Sequence, residues 1–251
     1  MAKIEEINAS TFDCQQLKVF ILIDTSGSMC QDGRIQAVNS AMYEVPAQLV
    51  AINQSLEDCQ LRIAPMTFDT DAKWLIDQPV SVEDFRWRPL KATGITSVGA
   101  AFDLLNEKLR ITDMGGWLER GVDCAPVIIL ITDGEPTDDW ERALERLKKN
   151  HWFRQALKFA VAVGEESSRE ALTQFTGCED AVIDTEVLRQ DLDTIVRQLV
   201  VTSSRAQGER ACADMQREVE LPYDVDIDPQ TREKIIAEVI ASITADDDDI
   251  F

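Results

Sequence analysis

Two short apolar runs, each closed by an aspartate, constrain this chain more than any other feature. Residues 17–24 (LKVFILID) end in Asp24, and residues 126–132 (PVIILIT) are followed directly by Asp133. Runs of this length and composition suit central parallel strands buried on both faces. Their apolar cores, residues 19–23 and 126–131, are far short of the ~18 residues that a membrane helix needs.

Between and after these runs, strand-like and helix-like segments alternate. Residues 33–55 carry Ile35, Val38, Met42, Val45, Leu49 and Ile52 near helical period, with Pro46 expected to kink the helix. Residues 60–68 read as a second strand and 72–80 as a third. A helix is expected from 97 to about 111, another from 138 to 150, a strand at 157–163, a helix at 167–175, a short strand at 181–184 and a helix from 187 to about 203. This alternation predicts an α/β fold with a doubly wound, mostly parallel central sheet flanked by helices. In such folds sites lie at the carboxyl ends of the strands, where the strand order reverses. Asp24 and Asp133 are both placed at that edge.

Charge narrows the function classes. The 251 residues hold 25 Lys+Arg against 46 Asp+Glu, a formal charge of −21, with one His. So acidic a surface repels nucleic-acid phosphates and anionic membranes. A single His excludes any site built on two imidazoles. The chemistry falls to hydroxyls and carboxylates, which suit Mg²⁺, Mn²⁺ or Ca²⁺. The apolar fraction, 45%, supports a sizeable core. The six cysteines, at 14, 30, 59, 124, 178 and 212, come no closer than 16 residues to one another, so no metal-binding CxxC is present and reduced thiols are expected. The opening MAKIEEINASTF lacks the pattern of a secretion signal. The expected location is therefore the cytoplasm.

The site-bearing stretch is Asp24-Thr25-Ser26-Gly27-Ser28, directly after the first strand. One carboxylate and two hydroxyls share a tight turn that Gly27 eases. Thr93-Gly94-Ile95-Thr96-Ser97 precedes a helix, and Thr96 can add a fourth oxygen. Ile131-Thr132-Asp133-Gly134 closes the second buried strand, and Asp133 can add another carboxylate. The plainer reading of Asp24–Ser28 alone is a helix cap. Thr25 and Thr93 read as loop supports, Asp138 and Asp139 as the first-turn acids of the next helix, and Thr137 as its N-cap. A serine nucleophile would need a base, and His151, the one candidate, stands beside Trp152 and Phe153 as a packed residue. No G-x-S-x-G, P-loop or G-x-G-x-x-G is present. The chain is therefore read as a non-enzyme.

Together the three motifs resemble the metal-ion-dependent adhesion site of the von Willebrand factor A (vWA) domain family: D-x-S-x-S, then Thr, then (T/S)-D-G. The resemblance covers roughly residues 15–203. It implies that Asp24, Ser26, Ser28, Thr96 and Asp133 form the metal shell, with Ser26, Ser28 and often Thr96 coordinating directly. It implies Mg²⁺ or Mn²⁺ ahead of Ca²⁺, and an open position for an Asp or Glu of a protein partner. Thr25, Gly27, Gly94 and Gly134 are the expected partner-facing loop positions. VFILIDTSGSM, TGITSVGAAFDLL and ITDGEPTDDW are similar to bacterial TerY-like proteins, which implies a scaffold in a tellurite-type stress-resistance or defence complex, with a kinase or phosphatase as partner. The alternatives are an accessory subunit of a MoxR- or chelatase-type AAA+ ATPase and, behind it, a metal-dependent hydrolase. The cysteine-rich C-terminal module of some TerY-like proteins is missing, since only Cys212 lies beyond residue 200.

The chain is divided into a vWA domain at 15–203 and an acidic extension at 204–251. Residues 203–208 (SSRAQG) read as a linker or fraying helix end, and 224–228 as an exposed alternation of aspartates. An amphipathic helix near 229–244 carries Ile235, Ile236, Val239, Ile240 and Ile243 on one face, which has to bury on the chain's own body or on a partner. The closing Asp246–Phe251 offers carboxylates beside apolar anchors, a candidate ligand for the metal site of a second copy.

Overall fold

The computed structural model describes residues 15–56, 59–164, 169–185, 201–202, 204–206 and 229–245. Its middle layer is a seven-stranded sheet: β1 (Gln15–Asp24), β2 (Cys59–Phe68), β3 (Ala72–Trp74), β4 (Val80–Ser81), β5 (Val127–Thr132), β6 (Leu157–Ala162) and β7 (Val182–Asp184), in the order β3-β2-β1-β5-β6-β7 with β4 also on β2. The pairs β2-β1, β1-β5, β5-β6 and β6-β7 are parallel. β3 and β4 run antiparallel to β2. The expected mostly parallel, doubly wound sheet is therefore present.

The strand order places the site. From β1 the chain moves outward to β2, β3 and β4, then returns to the other side of β1 as β5. The strand order reverses between β1 and β5, and Ile23 stands in register with Ile131. The two aspartate-bearing strand ends are thus neighbours.

Period-two alternation divides the core between the two faces. Leu17, Val19, Ile21 and Ile23 of β1 join one buried cluster with the inner side of α1 (Arg34–Ser55). Phe20 and Leu22 join the other, with α2 (Val98–Lys108), α3 (Trp140–Lys148), α4 (His151–Gln155) and α5 (Arg169–Thr176). The first face is also covered by α6 (Pro229–Ala245), whose Ile235, Ile236, Val239 and Ile243 are buried in the same cluster as β1 and α1. The apolar face of the extension helix thus docks on the chain's own body.

One local expectation changes and three are sharpened. Residues 72–80 form two short strands rather than one, because Pro79 has no N–H to give a ladder and Asp77-Gln78 favours a turn. The helix expected at 138–150 is α3, and a further short helix follows it: the Asn150 side chain accepts from the backbone N–H groups of Trp152 (2.9 Å) and Phe153 (3.4 Å) and so starts α4. α1 runs through Pro46 as one 22-residue helix, within the span expected at 33–55. Residues 204–206 are helical and Ser204 is buried, which fits the helix-end reading of 203–208 ahead of the linker. Most of the helix expected at 187–203, the aspartates at 224–228 and the closing residues 246–251 lie outside the described residues. Among the described residues no helix is long and apolar enough to cross a membrane.

Candidate metal centre

β1 ends at Asp24, and the loop that follows is tied down on both sides. Thr25 donates through its N–H (2.8 Å) and its hydroxyl (3.2 Å) to the carbonyl of Phe68, the last residue of β2. Its own carbonyl accepts from Thr93 N–H at 2.6 Å, and Gly27 N–H donates to Gly94 O at 3.1 Å. Thr25 is buried, so it braces the loops with Thr93 and does not take the expected partner-facing position. Gly94 has φ +88, and a Cβ there would stand 2.8 Å from Thr70 Oγ1 and 3.3 Å from Thr70 N, so only glycine fits. Gly27 and Gly94 are exposed beside the site, and Gly134 is half-buried.

The five motif residues converge. Ser26 Oγ and Ser28 Oγ are 3.0 Å apart, and Ser28 donates to Asp133 Oδ1 at 2.7 Å. A Cβ on Gly134 would lie 3.2 Å from Thr96 Oγ1 and 3.9 Å from Ser28 Oγ, so Thr96 faces the serines across that glycine. Asp24 sits behind them: its Oδ1 accepts from Ser26 N–H (2.7 Å) and its Oδ2 from the Thr132 hydroxyl (2.5 Å). Asp24 and Asp133 are both fully buried. Burial pushes the Asp24 carboxyl up from the ordinary carboxylate value. Its bonds to Thr132 and Ser26 only partly offset this, and the Asp133 charge adds to it.

Thr96 is positioned by the loop after β5. Its carbonyl accepts from Thr137 N–H (2.9 Å) and from the Thr137 hydroxyl (3.0 Å). Thr137 therefore holds the Thr96 loop rather than capping α3, whose N-cap is Asp139. Asp138 is likewise no first-turn acid of α3. Its two carboxylate oxygens accept from Gly99 and Ala100 N–H, each at 3.0 Å, and so cap α2 from a distant loop. The helix that begins beside Thr96 is thereby fixed to the loop that carries Asp133.

Two contributors lie outside the motifs, Asp138 and Arg34, while Thr132, inside the third motif, serves as the donor to Asp24. Arg34 opens α1 and donates to Asp133 Oδ2 at 2.7 Å. One signal was available, because a cation in the first turn opposes the helix dipole and calls for an anion from elsewhere. His151 opens α4 ahead of β6, at the edge of the sheet opposite the site, with its ring 6.0 Å from that of Trp152. No imidazole stands near Ser26 or Ser28.

Chemically the site is a cradle of hard oxygens: two serine hydroxyls, one threonine hydroxyl and a buried carboxylate, with a second carboxylate behind. The donor set fits a small divalent cation. Ser26, Ser28, Thr96 and Asp133 would hold it, and Asp24 would fix the loop. Among the described residues no cluster of three or more His, Cys, Asp or Glu side chains forms another metal site.

Solved structures share this fold at low identity. Proximal thread matrix protein 1 from the mussel byssus, with a zinc-occupied MIDAS motif, superposes with a TM-score of 0.52 at 15% identity, over 76% of this chain and 48% of that one. The ArnB paralog VWA2 of Sulfolobus acidocaldarius gives 0.52 at 17%, over 75% and 45%. A von Willebrand factor type A protein of Catenulispora acidiphila gives 0.52 at 19%, over 77% and 43%. This chain thus spans less than half the length of these structures. No curated protein matches the sequence. The von Willebrand factor type A domain model matches residues 18–198, and the chain belongs to that family.

Proposed function

We propose that this chain is a divalent-cation-dependent protein-interaction module whose site takes an Asp or Glu of a partner protein. One observation carries the reading: the oxygens of Ser26, Ser28, Thr96 and Asp133 meet at one strand-end cradle. Family membership supports it, since vWA domains are known as metal-dependent interaction modules. When bound, the ion supplies an electrophilic position that a partner's carboxylate can fill. The residues do the rest: Ser26 and Ser28 offer neutral oxygens, Asp133 anchors, and Asp24 locks the turn through Ser26 N–H. Mg²⁺ or Mn²⁺ suits this set, both favouring carboxylate, hydroxyl and water oxygens. Gly27, Gly94 and Gly134 leave the rim open for the partner, and the acidic chain keeps nucleic acid and membranes out of this role.

The proposed setting is a bacterial, cytoplasmic stress-resistance complex of the tellurite type or a defence complex. The likeness of VFILIDTSGSM, TGITSVGAAFDLL and ITDGEPTDDW to TerY-like proteins supports that setting. The one histidine, His151, lies at the opposite strand ends from the serines, which favours a binding role over serine–histidine hydrolysis. Pull-down from bacterial lysate with and without Mg²⁺ tests the proposal. Wild type is expected to capture a partner only with the ion present. Ser26→Ala and Asp24→Ala are expected to lose it while far-UV circular dichroism stays unchanged. Capture insensitive to EDTA overturns the reading.

A further inference from the structure

We propose that Arg34 is a resident cation of this metal site: it holds Asp133 when no divalent ion is bound and leaves the ion-loaded site with a net positive charge that an incoming carboxylate cancels. The inference rests on the metal-site reading above and assigns a role to a residue outside the five-residue pattern.

Three strand-end loops enclose the guanidinium. In the first, residues 27–33 form a tight turn in which Asp32 (φ 50) and Gly33 (φ 75) adopt left-handed backbone. That reversal brings the first side chain of α1 back over the loop after β1. In the second, Arg34 Nη1 meets Asp133 Oδ2 at 2.7 Å while Ser28 holds Oδ1, so both oxygens of this buried carboxylate are engaged. In the third, Gly164, just beyond β6, lies against the guanidinium: its φ is +80, and a Cβ there would come within 2.8 Å of Arg34 Nη2. The Arg34 side chain is 16% exposed. Asp32, 3.6 Å away, is 81% exposed and therefore a weak, screened companion.

The charges then decide the sign. Asp24, Asp133 and Arg34 sum to −1, and a divalent ion takes the site to +1. Without Arg34 the same states would be −2 and 0. In a buried setting with low effective dielectric such differences are large. One side chain thus weakens cation binding and strengthens carboxylate binding. A partner's Asp or Glu brings the loaded site to zero, so recognition of an acidic side chain is favoured only after the ion is in place.

The full-length chain with Mn²⁺ as probe tests this by isothermal titration calorimetry, with far-UV circular dichroism confirming the fold. Arg34→Gln is expected to tighten Mn²⁺ binding about tenfold, and Arg34→Lys, which keeps the charge, to stay within about twofold of wild type. Arg34→Met is the second charge-removing variant and is expected to behave as Arg34→Gln. With Mn²⁺ bound, acetate is expected to bind the Gln variant at least about fivefold more weakly than wild type, read by relaxation of Mn²⁺-bound water protons. If wild type binds Mn²⁺, Asp24→Ala does not, and the charge-removing variants bind no tighter, the role of Arg34 is overturned and the metal site stands. If neither wild type nor any Arg34 variant binds Mn²⁺, both readings fall together.

Discussion

Single side chains set the properties of this protein at positions where burial leaves little tolerance. Gly134 is one. A Cβ there would press on Thr96 Oγ1 at 3.2 Å, and the neighbour would have to give way. Gly134→Ala is therefore expected to weaken Mn²⁺ binding by about an order of magnitude, read by calorimetry, with the melting temperature nearly unchanged. Lys158 is another. Its ammonium donates to Phe153 O and Ala156 O, each at 3.1 Å, and lies 4.9 Å from the centre of the Phe153 ring. Burial, and then the charge of Arg232, nonetheless lower its pKa to about 7 from 10.5. Below about pH 7 the lysine is charged in both folded and unfolded states, and folding bears the full cost of burying it. Between about 7 and 10.5 only the unfolded chain holds the proton, so stability rises with pH there. Lys158→Met is expected to remove a slope of about 1.4 kcal/mol per pH unit, measured by urea unfolding at pH 7.5 and 9. The five residues expected to form the metal shell were legible in the sequence because each belongs to a local motif after a strand or before a helix. Arg34 was not, because its anion, Asp133, is 99 residues away.

At the scale of elements, two long-range attachments fix helices to the sheet's edge and face. Asp138 caps α2 across a gap of 39 residues in sequence. Asp138→Ala is expected to cost about 0.5–2 kcal/mol, the range for a lost helix cap. Because Thr96 precedes the same helix, the variant is also expected to bind Mn²⁺ more weakly, and thermal unfolding with and without Mn²⁺ measures both effects. α6 is the second attachment. Ile243 is fully buried in the core cluster it shares with β1 and α1, so Ile243→Ala is expected to cost about 2–5 kcal/mol, read from the denaturant midpoint. The strands were legible here because β1, β5 and β6 are buried on both faces and are dominated by apolar residues, β5 without interruption from Val127 to Ile131. The break of residues 72–80 into β3 and β4 was less legible, because that segment is a half-exposed edge whose pairing on β2 is set by tertiary contacts.

For the whole molecule, the charge of −21 is the dominant field. Like charges repel more in the compact state than in the extended chain. In EDTA, the melting temperature is expected to rise as NaCl goes from about 0.01 to 0.15 M, where the screening length falls from about 30 to 8 Å. A fall in melting temperature over that range would count against self-repulsion as the main term. The same field draws cations toward the site, and Arg34 weakens it locally. The fold also creates neighbours that cysteine spacing did not suggest. Cys59 stands opposite Gln15 of β1, and Cys124 N–H donates to Gln16 O at 2.8 Å on the other side of that strand. The hydrogen bond between their side chains holds the Cys59 thiol below its ordinary value.

By itself the sequence determined the α/β class, the strand-end location of the site and its five oxygen-bearing residues, because each rests on periodicity or a short motif within one segment. The tertiary structure alone decided which anion Arg34 meets, which helix Asp138 caps and where the apolar face of α6 is buried. These are contacts between segments far apart in the chain. Their physical reason is the strand order: the reversal between β1 and β5 brings loops that no local pattern relates to one edge of one sheet.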